Sequence, residues 1–318
     1  MAAFPIKLIP ADTKIDFIGS RKIAYIFSGL LMLVSVGFFA FQGLNFGIDF
    51  KGGILIEVRT PGPANIDALR GKLSGLGLGE VALQEFGQAT DVLIRIERQP
   101  GGEEGQKVAV ATVKTALGSD VASYRRTEFV GPKVGGELIE AGILAVVLSL
   151  LAIMVYVWFR FEWQFSIGAI VALTHDVIST IGVFSITEHE FNLATVAAIL
   201  TIAGYSINDT VVVFDRIREN LRKFKAMPIE ELLNLSLNQT LSRTLLTSIT
   251  TLLALLAIFF FGGAVIQDFA FALIWGVVIG TFSSIFVASP VVMMLNIRES
   301  ISGGTIGGNE TSQGTPAE

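Results

Sequence analysis

The chain contains no cysteine, which excludes a disulfide framework and thiolate metal sites, and its two histidines, His175 and His189, are too few for a histidine-rich metal centre. Charge is also scarce: Asp, Glu, Lys and Arg make up 16% of the 318 residues, against 52% hydrophobic. The sequence has no GxxxxGK[ST], no HExxH, no GxSxG and no GxGxxG after a strand pattern. No enzyme activity is expected, and no metal, cofactor or nucleic-acid partner.

What is present is long apolar sequence. Mean hydropathy is +0.64, and the chain repeats runs near the roughly 20 apolar residues needed to cross a hydrocarbon core about 30 Å thick. The pattern predicts a polytopic α-helical membrane protein with six transmembrane helices and membrane lipid as its surroundings. Residues 1–22 carry Lys7, Lys14, Arg21 and Lys22 just before an uncharged run. That basic cluster places the N-terminal segment in the cytoplasm and makes 23–43 an uncleaved first span. Residues 44–136 are then the soluble domain, on the outer side. Their order is strand, helix, strand, strand, helix, strand, with alternating apolar and polar residues in ILIEVR, VALQEF, VLIRIE and YRRTEFV and Asp91 in the middle turn. This predicts a small α+β ferredoxin-like extracytoplasmic domain between helices 1 and 2.

Residues 137–295 supply five further spans, near 141–159, 165–186, 193–214, 245–261 and 269–295, with a basic cytoplasmic loop over 215–242. Within that loop Pro228 opens a segment of helical spacing, read as a helix lying in the membrane interface. Strict alternation puts the basic loops inside, the acidic Glu188–Glu190 loop outside and both termini in the cytoplasm. Residues 296–318, rich in Gly, Ser and Thr, are expected to be a disordered cytoplasmic tail.

An acid inside a hydrocarbon-spanning helix is costly and marks a functional site. Asp209 lies in the inner half of the fourth span, beside Asn208. Arg243 opens the next span at a compatible depth, and Thr247 and Thr250 or Thr251 continue from it as a polar stripe. Desolvation opposes the ionised form of Asp209, whereas a neighbouring guanidinium favours it, so a contact that comes and goes would suit a proton carrier. A fixed Asp209–Arg243 bridge between two helices, or an Arg243 that snorkels to the headgroups, is the competing reading. Asp176 lies deeper still, beside His175, but neighbours on a helix point about 100° apart and cannot both face one partner. It is either a second proton-pathway group or a packing hydrogen bond. Gly276 and Gly280 form GxxxG in the last span, a close-packing pattern.

These residues fall within longer motifs: NFGIDFKGG at 45–53, VGPKVGGEL at 130–138, LTHDVI at 173–178, AGYSINDTVVVFDRIREN at 203–220 and SLNQTLSRTLLTS at 236–248. In this order, across almost the whole chain, they resemble the SecF branch of the SecD/SecF family, within the resistance-nodulation-division superfamily. The resemblance implies pairing with SecD, action beside the SecYEG channel and the SecA motor on a translocating preprotein, and residence in the bacterial inner membrane. It also implies that the proton-motive force drives the late stage of export, with protons as the coupling ion and Asp209 and Arg243 on their path. Asp176, Asn208 and Thr247 are further candidates. Coupling to the outer domain is expected through Gly47, Asp49, Gly52, Gly53, Gly131, Pro132 and Gly135, where glycines free the backbone. Half of a proton-driven small-molecule efflux transporter and a non-transducing assembly scaffold are the alternatives.

Overall fold

A computed structural model of the chain describes residues 13–298 except Gly87 and Gly131. Expectations for Lys7, for Gly131 and for the tail beyond residue 298 lie outside the described residues, as does the side chain of Pro132.

The α+β domain is built from β1 (Gly53–Arg59), α3 (Ile66–Ser74), β2 (Val81–Phe86), β3 (Gln88–Glu97), α4 (Gly102–Leu117) and β4 (Ser123–Val130). Its strands order β2-β3-β1-β4 and every pair is antiparallel, the split βαβ arrangement that the alternation predicted. Period-two side chains put Ile54, Ile56 and Val58 of β1 and Val92, Ile94 and Ile96 of β3 on one face, fully buried with Leu73, Val113 and Leu117 of the two helices. Asp91 departs from its predicted turn. It lies within β3, directly opposite Arg59 of β1, because β3 begins at Gln88 and the reversal lies before it. Arg59 donates to both its carboxylate oxygens, at 2.7 and 3.1 Å, and Arg125 of β4 sits at 3.1 Å. The hydrogen bond from Arg59, followed by the charges of Arg125 and Arg59, holds the Asp91 carboxyl below the usual carboxylate range. A triple-strand charge cluster thus stitches the sheet face opposite its helices.

Among the described residues six helices are long and apolar enough to cross a membrane: Arg21–Gln42, Gly135–Arg160, Trp163–Thr187, Leu193–Lys223, Ile229–Phe261 and Ile266–Met294. They belong to α1 (Arg21–Gln42), α5 (Pro132–Arg160), α6 (Trp163–Thr187), α7 (Leu193–Lys223), α8 (Ile229–Phe261) and α9 (Ala264–Ser283), with α9 continuing through a π-helical turn (Ser284–Ala288) into α10 (Ser289–Met294). A four-residue helix, α2 (Ile48–Lys51), precedes β1. The helices α6 and α9 are central because they carry the small residues that permit close approach. A Cβ on Gly182 of α6 would collide with Ser35 of α1, one on Gly276 of α9 with Ile202 of α7, and one on Gly280 would press within 3.1 Å of Ser206. The GxxxG pair therefore seats α9 against α7.

The basic segment 215–242 is not a loop. The helix α7 runs on to Lys223, only residues 224–228 intervene, and α8 starts at Ile229. Instead of lying apart in the membrane interface, the segment after Pro228 is the first part of the fifth spanning helix. Leu232, Leu233 and Leu237 bury there against Phe214, Ile217 and Leu221 of α7, which holds the two helices together. Asn234 and Asn238 accept from the backbone N–H groups of Ile18 and Ile15 at 3.0 and 2.9 Å, and Arg21 pairs with Glu230 at 2.8 Å. The entry to α1 is thereby strapped to α8.

Candidate functional site

Asp176 sits at the middle of α6 with no solvent exposure. Its Oδ2 accepts from Ser206 Oγ of α7 at 2.7 Å and from Ser283 Oγ of α9 at 2.8 Å, while His175 Nδ1 lies 3.1 Å from Oδ1. The imidazole thus touches Asp176 itself, while the carboxyl group faces α7 and α9. One carboxyl group therefore ties three helices, and both of its oxygens are engaged.

Asp209 is different. Its Oδ1 accepts from Thr244 Oγ1 of α8 at 2.6 Å, but Oδ2 is buried without a hydrogen-bond partner among the described residues; the nearby Ser284 hydroxyl, which could turn to it, is engaged instead with Thr210 and the Gly280 carbonyl. A buried unpaired acceptor costs about 1–3 kcal/mol, so a carboxyl group left half-satisfied is poised to change state or partner. Next to it, Thr210 and Ser284 hydroxyls lie 2.9 Å apart, and Ser248 of α8 meets Thr281 of α9 at 2.7 Å. Ser206 and Thr210 are four residues apart on one face of α7. Ser283, which shares the Asp176 carboxylate with Ser206, and Ser284, the partner of Thr210, are adjacent on the last span, where the helix widens into its π turn. Such turns concentrate at functional positions. A chain of small hydroxyl groups thus runs from Asp176 to the surroundings of Asp209.

The predicted partner of Asp209 is displaced by one residue. Arg243 is exposed and makes no ion pair among the described residues, and Thr244 takes its place against Asp209. The buried stripe of α8 runs Leu233, Leu237, Thr240, Thr244, Ser248 and Leu255, which rotates Arg243 and Thr247 outward. The Thr247 hydroxyl bonds back to the carbonyls of Arg243 and Thr244, and Thr250 likewise to Leu246 and Thr247. Asn208 is also exposed. Ala197, Thr201, Gly204 and Asn208 form an exposed small or polar stripe on α7, and Arg243, Thr247 and Thr250 form another on α8. Ser206, Ser283, Ser284 and Thr244 belong to the site although the sequence pattern does not single them out. Their signal was present at i−3 from Asp209 and just after GxxxG. Among the described residues no group of three His, Asp or Glu side chains could hold a metal ion.

The coupling residues gather where the α+β domain meets the bundle. Gly47 N–H donates to Phe191 O at 2.9 Å and Phe191 N–H to Asn45 O at 2.7 Å, clasping the segment before β1 to the α6–α7 turn. Asp49 accepts from the Leu193 N–H at the start of α7 at 3.2 Å, where the helix dipole favours an acid, and lies 3.5 Å from Arg95 of β3. Gly52 turns the chain into β1 with φ of 75°, a conformation that suits glycine, and Gly53 is the first residue of that strand. A Cβ on Gly135 would run into the Phe50 carbonyl, whereas one on Gly136 would meet nothing. Gly135→Ala is therefore expected to push α2 off α5 and lower the melting temperature of the purified chain, with Gly136→Ala close to neutral in the same assay. Beside this clasp, burial, followed by the charges of Glu80 and Asp268, pushes the Glu190 carboxyl above the usual range, with Arg95 opposing. The ionised form is disfavoured by folding, so stability is lost as pH rises above the unfolded value of about 4.5. Glu190→Gln is expected to raise the melting temperature at neutral pH and leave it unchanged near pH 4.

Residues 109–298 match the family described as protein export membrane protein SecD/SecF, C-terminal, and residues 37–60 match its GG motif. The protein translocase subunit SecF of Rickettsia rickettsii is 48% identical over 302 residues, covering 94% of this chain and 97% of that protein. That of Rickettsia bellii is 46% identical over 295 residues, covering 92% and 97%. The crystal structure of SecDF, a translocon-associated membrane protein from Thermus thermophilus, superposes with a TM-score of 0.73 at 36% identity, over 92% of this chain and 40% of that one. A second SecDF structure, in a super-membrane-facing form, gives 0.74 at 36% identity, over 94% and 41%. The chain thus spans about two fifths of the solved SecDF chains and nearly all of the SecF relatives. Family match, identity over nearly the full length and shared architecture agree: the chain belongs to the SecD/SecF family of protein-export membrane proteins.

Proposed function

We propose that the chain acts as the SecF-type subunit of bacterial protein export, using the proton-motive force together with SecD to promote late preprotein translocation beside SecYEG and SecA. The half-satisfied carboxyl group of Asp209 carries this reading. A group that moves a proton must be tolerable in two charge states, and a fully bonded one such as Asp176 is held in one arrangement. When Asp209 is ionised, Arg243, one residue from its present partner Thr244, is the cation that a side-chain swing brings closer. When it is neutral, the Thr244 contact suffices.

In this reading SecD seats on the exposed stripes of α7 and α8. An arginine facing hydrocarbon costs about 2.5–3.5 kcal/mol on insertion scales, and small and hydroxyl residues are what helix interfaces in membranes use. The basic ends of α5 and α7 face the cytoplasm of an inner-membrane protein, and the α+β domain lies outside, where Asp49, Arg95 and the Gly47–Phe191 clasp transmit changes at the top of α7. Each proton supplies about 2.3 kcal/mol per 100 mV, so many cycles are needed per preprotein. The test is preprotein translocation into inverted membrane vesicles with and without this chain and SecD, before and after an uncoupler. Uncoupler-sensitive stimulation only when the chain is present supports the proposal. An equal response in both vesicle types refutes it.

A further inference from the structure

At the end of the bundle remote from the α+β domain, Arg160, Asp215, Arg218, Glu219, Arg222 and Lys223 line an open cleft of about 510 Å³ between the ends of α5 and α7. We propose that this cleft is a binding site for the phosphate headgroup of an anionic phospholipid.

Four of the six lining side chains are cationic, and the acids are partly occupied. Glu219 is held by Arg216 at 2.8 Å, and Asp215 lies 3.5 Å from Arg160. Arg218 is anchored against Glu162 at 3.3 Å and above the Phe161 ring, so it forms a fixed back wall. Arg222 and Lys223 are exposed, and neither has an ion pair among the described residues. They are the charges with donors to spare. Asp215, Arg218, Glu219 and Arg222 follow i, i+3, i+4 and i+7 spacing and share one face of α7.

Depth agrees with a lipid. Side chains of a helix lean toward its N-terminus, and α7 runs out of the membrane toward its C-terminus, so Arg218 and Arg222 reach back toward the bilayer rather than into water. Trp158, Phe159 and Trp163, all exposed, flank Arg160 as an aromatic belt flanks a membrane boundary. Basic pockets between spanning helices at this level suit phospholipid phosphates.

The two tryptophans beside the cleft provide the readout. The full-length chain is placed in phosphatidylcholine nanodiscs containing increasing brominated phosphatidylglycerol or, separately, brominated phosphatidylcholine, and tryptophan quenching is followed; Trp275 adds the same background to both. The expected result is quenching by phosphatidylglycerol at a lower mole fraction. Arg222→Gln with Lys223→Gln, both exposed and without an ion pair among the described residues, Lys223 resting only over the Phe224 ring, brings the two curves together, a shift of about fivefold per cation lost if each contributes about 1 kcal/mol. Asp215→Asn moves the phosphatidylglycerol curve to still lower fractions. Coincident curves in the unaltered chain, or a preference that survives the double substitution, overturn the proposal and leave a solvated helix end. Displacement of the quenching lipid by millimolar inorganic phosphate also overturns it, since the site would then take free phosphate.

Discussion

Asp209→Asn is expected to abolish stimulation of preprotein export by the proton-motive force while the chain accumulates to its normal level and still associates with SecD. The amide is nearly isosteric, and its oxygen can keep the 2.6 Å hydrogen bond from Thr244, so the cost in stability should stay within about 1 kcal/mol. What it cannot do is exchange a proton. Translocation into vesicles with and without an imposed proton gradient, with subunit levels measured in parallel, separates the two effects. Stimulation that survives with normal assembly would make Asp209 a packing residue and remove the main support for the transducing role. Thr244→Val tests the geometry from the other side: it deletes the hydroxyl that engages Oδ1, leaving both oxygens of Asp209 without their donor, a penalty of about 1–3 kcal/mol. Weakened stimulation is expected there, whereas Thr247→Val, which faces outward and bonds only to backbone carbonyls, should leave the melting temperature of the isolated chain nearly unchanged.

The second large effect is structural. Asp176→Leu removes the acceptor that joins Ser206, Ser283 and His175 and leaves three buried polar groups without it, while placing bulk beside Gly280, whose added Cβ would lie 3.6 Å from Asp176 Oδ2. Leaving buried polar groups without a partner costs about 1–3 kcal/mol each, and three together are enough to unfold or prevent insertion of many chains. Loss of the folded chain from detergent extracts is expected. Asp176→Asn, whose oxygen can still accept from Ser206 and Ser283, should melt close to the parent and retain stimulated export. If it melts normally yet loses stimulation, Asp176 exchanges protons as well and the division between a holding and a working carboxylate fails.

That division was not legible in the sequence. Both acids were visible as costly intramembrane groups, and so were the six spans, the βαβ-βαβ order of the soluble domain and the motifs that resemble the family. These features rest on signals that a linear chain carries: run length against membrane thickness, alternation in strands with one wet face, and residue order within motifs. Asp91 was misplaced because strand ends are set by the partner strand, and the Arg59 and Arg125 that draw it into β3 come from β1 and β4.

The larger gap concerned helix faces. In water, a helix shows its inward side as an apolar stripe; in lipid, both sides are apolar, so the stripe vanishes. Around Arg243 the run SRTLLTSITT offers hydroxyls on every face of α8, and spacing alone favoured Arg243 and Thr247 as readily as Thr244 and Ser248. The choice belongs to packing between helices distant in sequence: leucines 233 and 237 lock α8 onto α7, and Gly276 and Gly280 bring α9 against Ile202 and Ser206. The sequence by itself determined how many times the chain crosses the membrane and which acids it carries there. Only the tertiary structure decided that Asp176 is fully bonded and Asp209 half-bonded, because hydrogen bonds between helices depend on rotations that hydrophobic patterning does not record inside a bilayer.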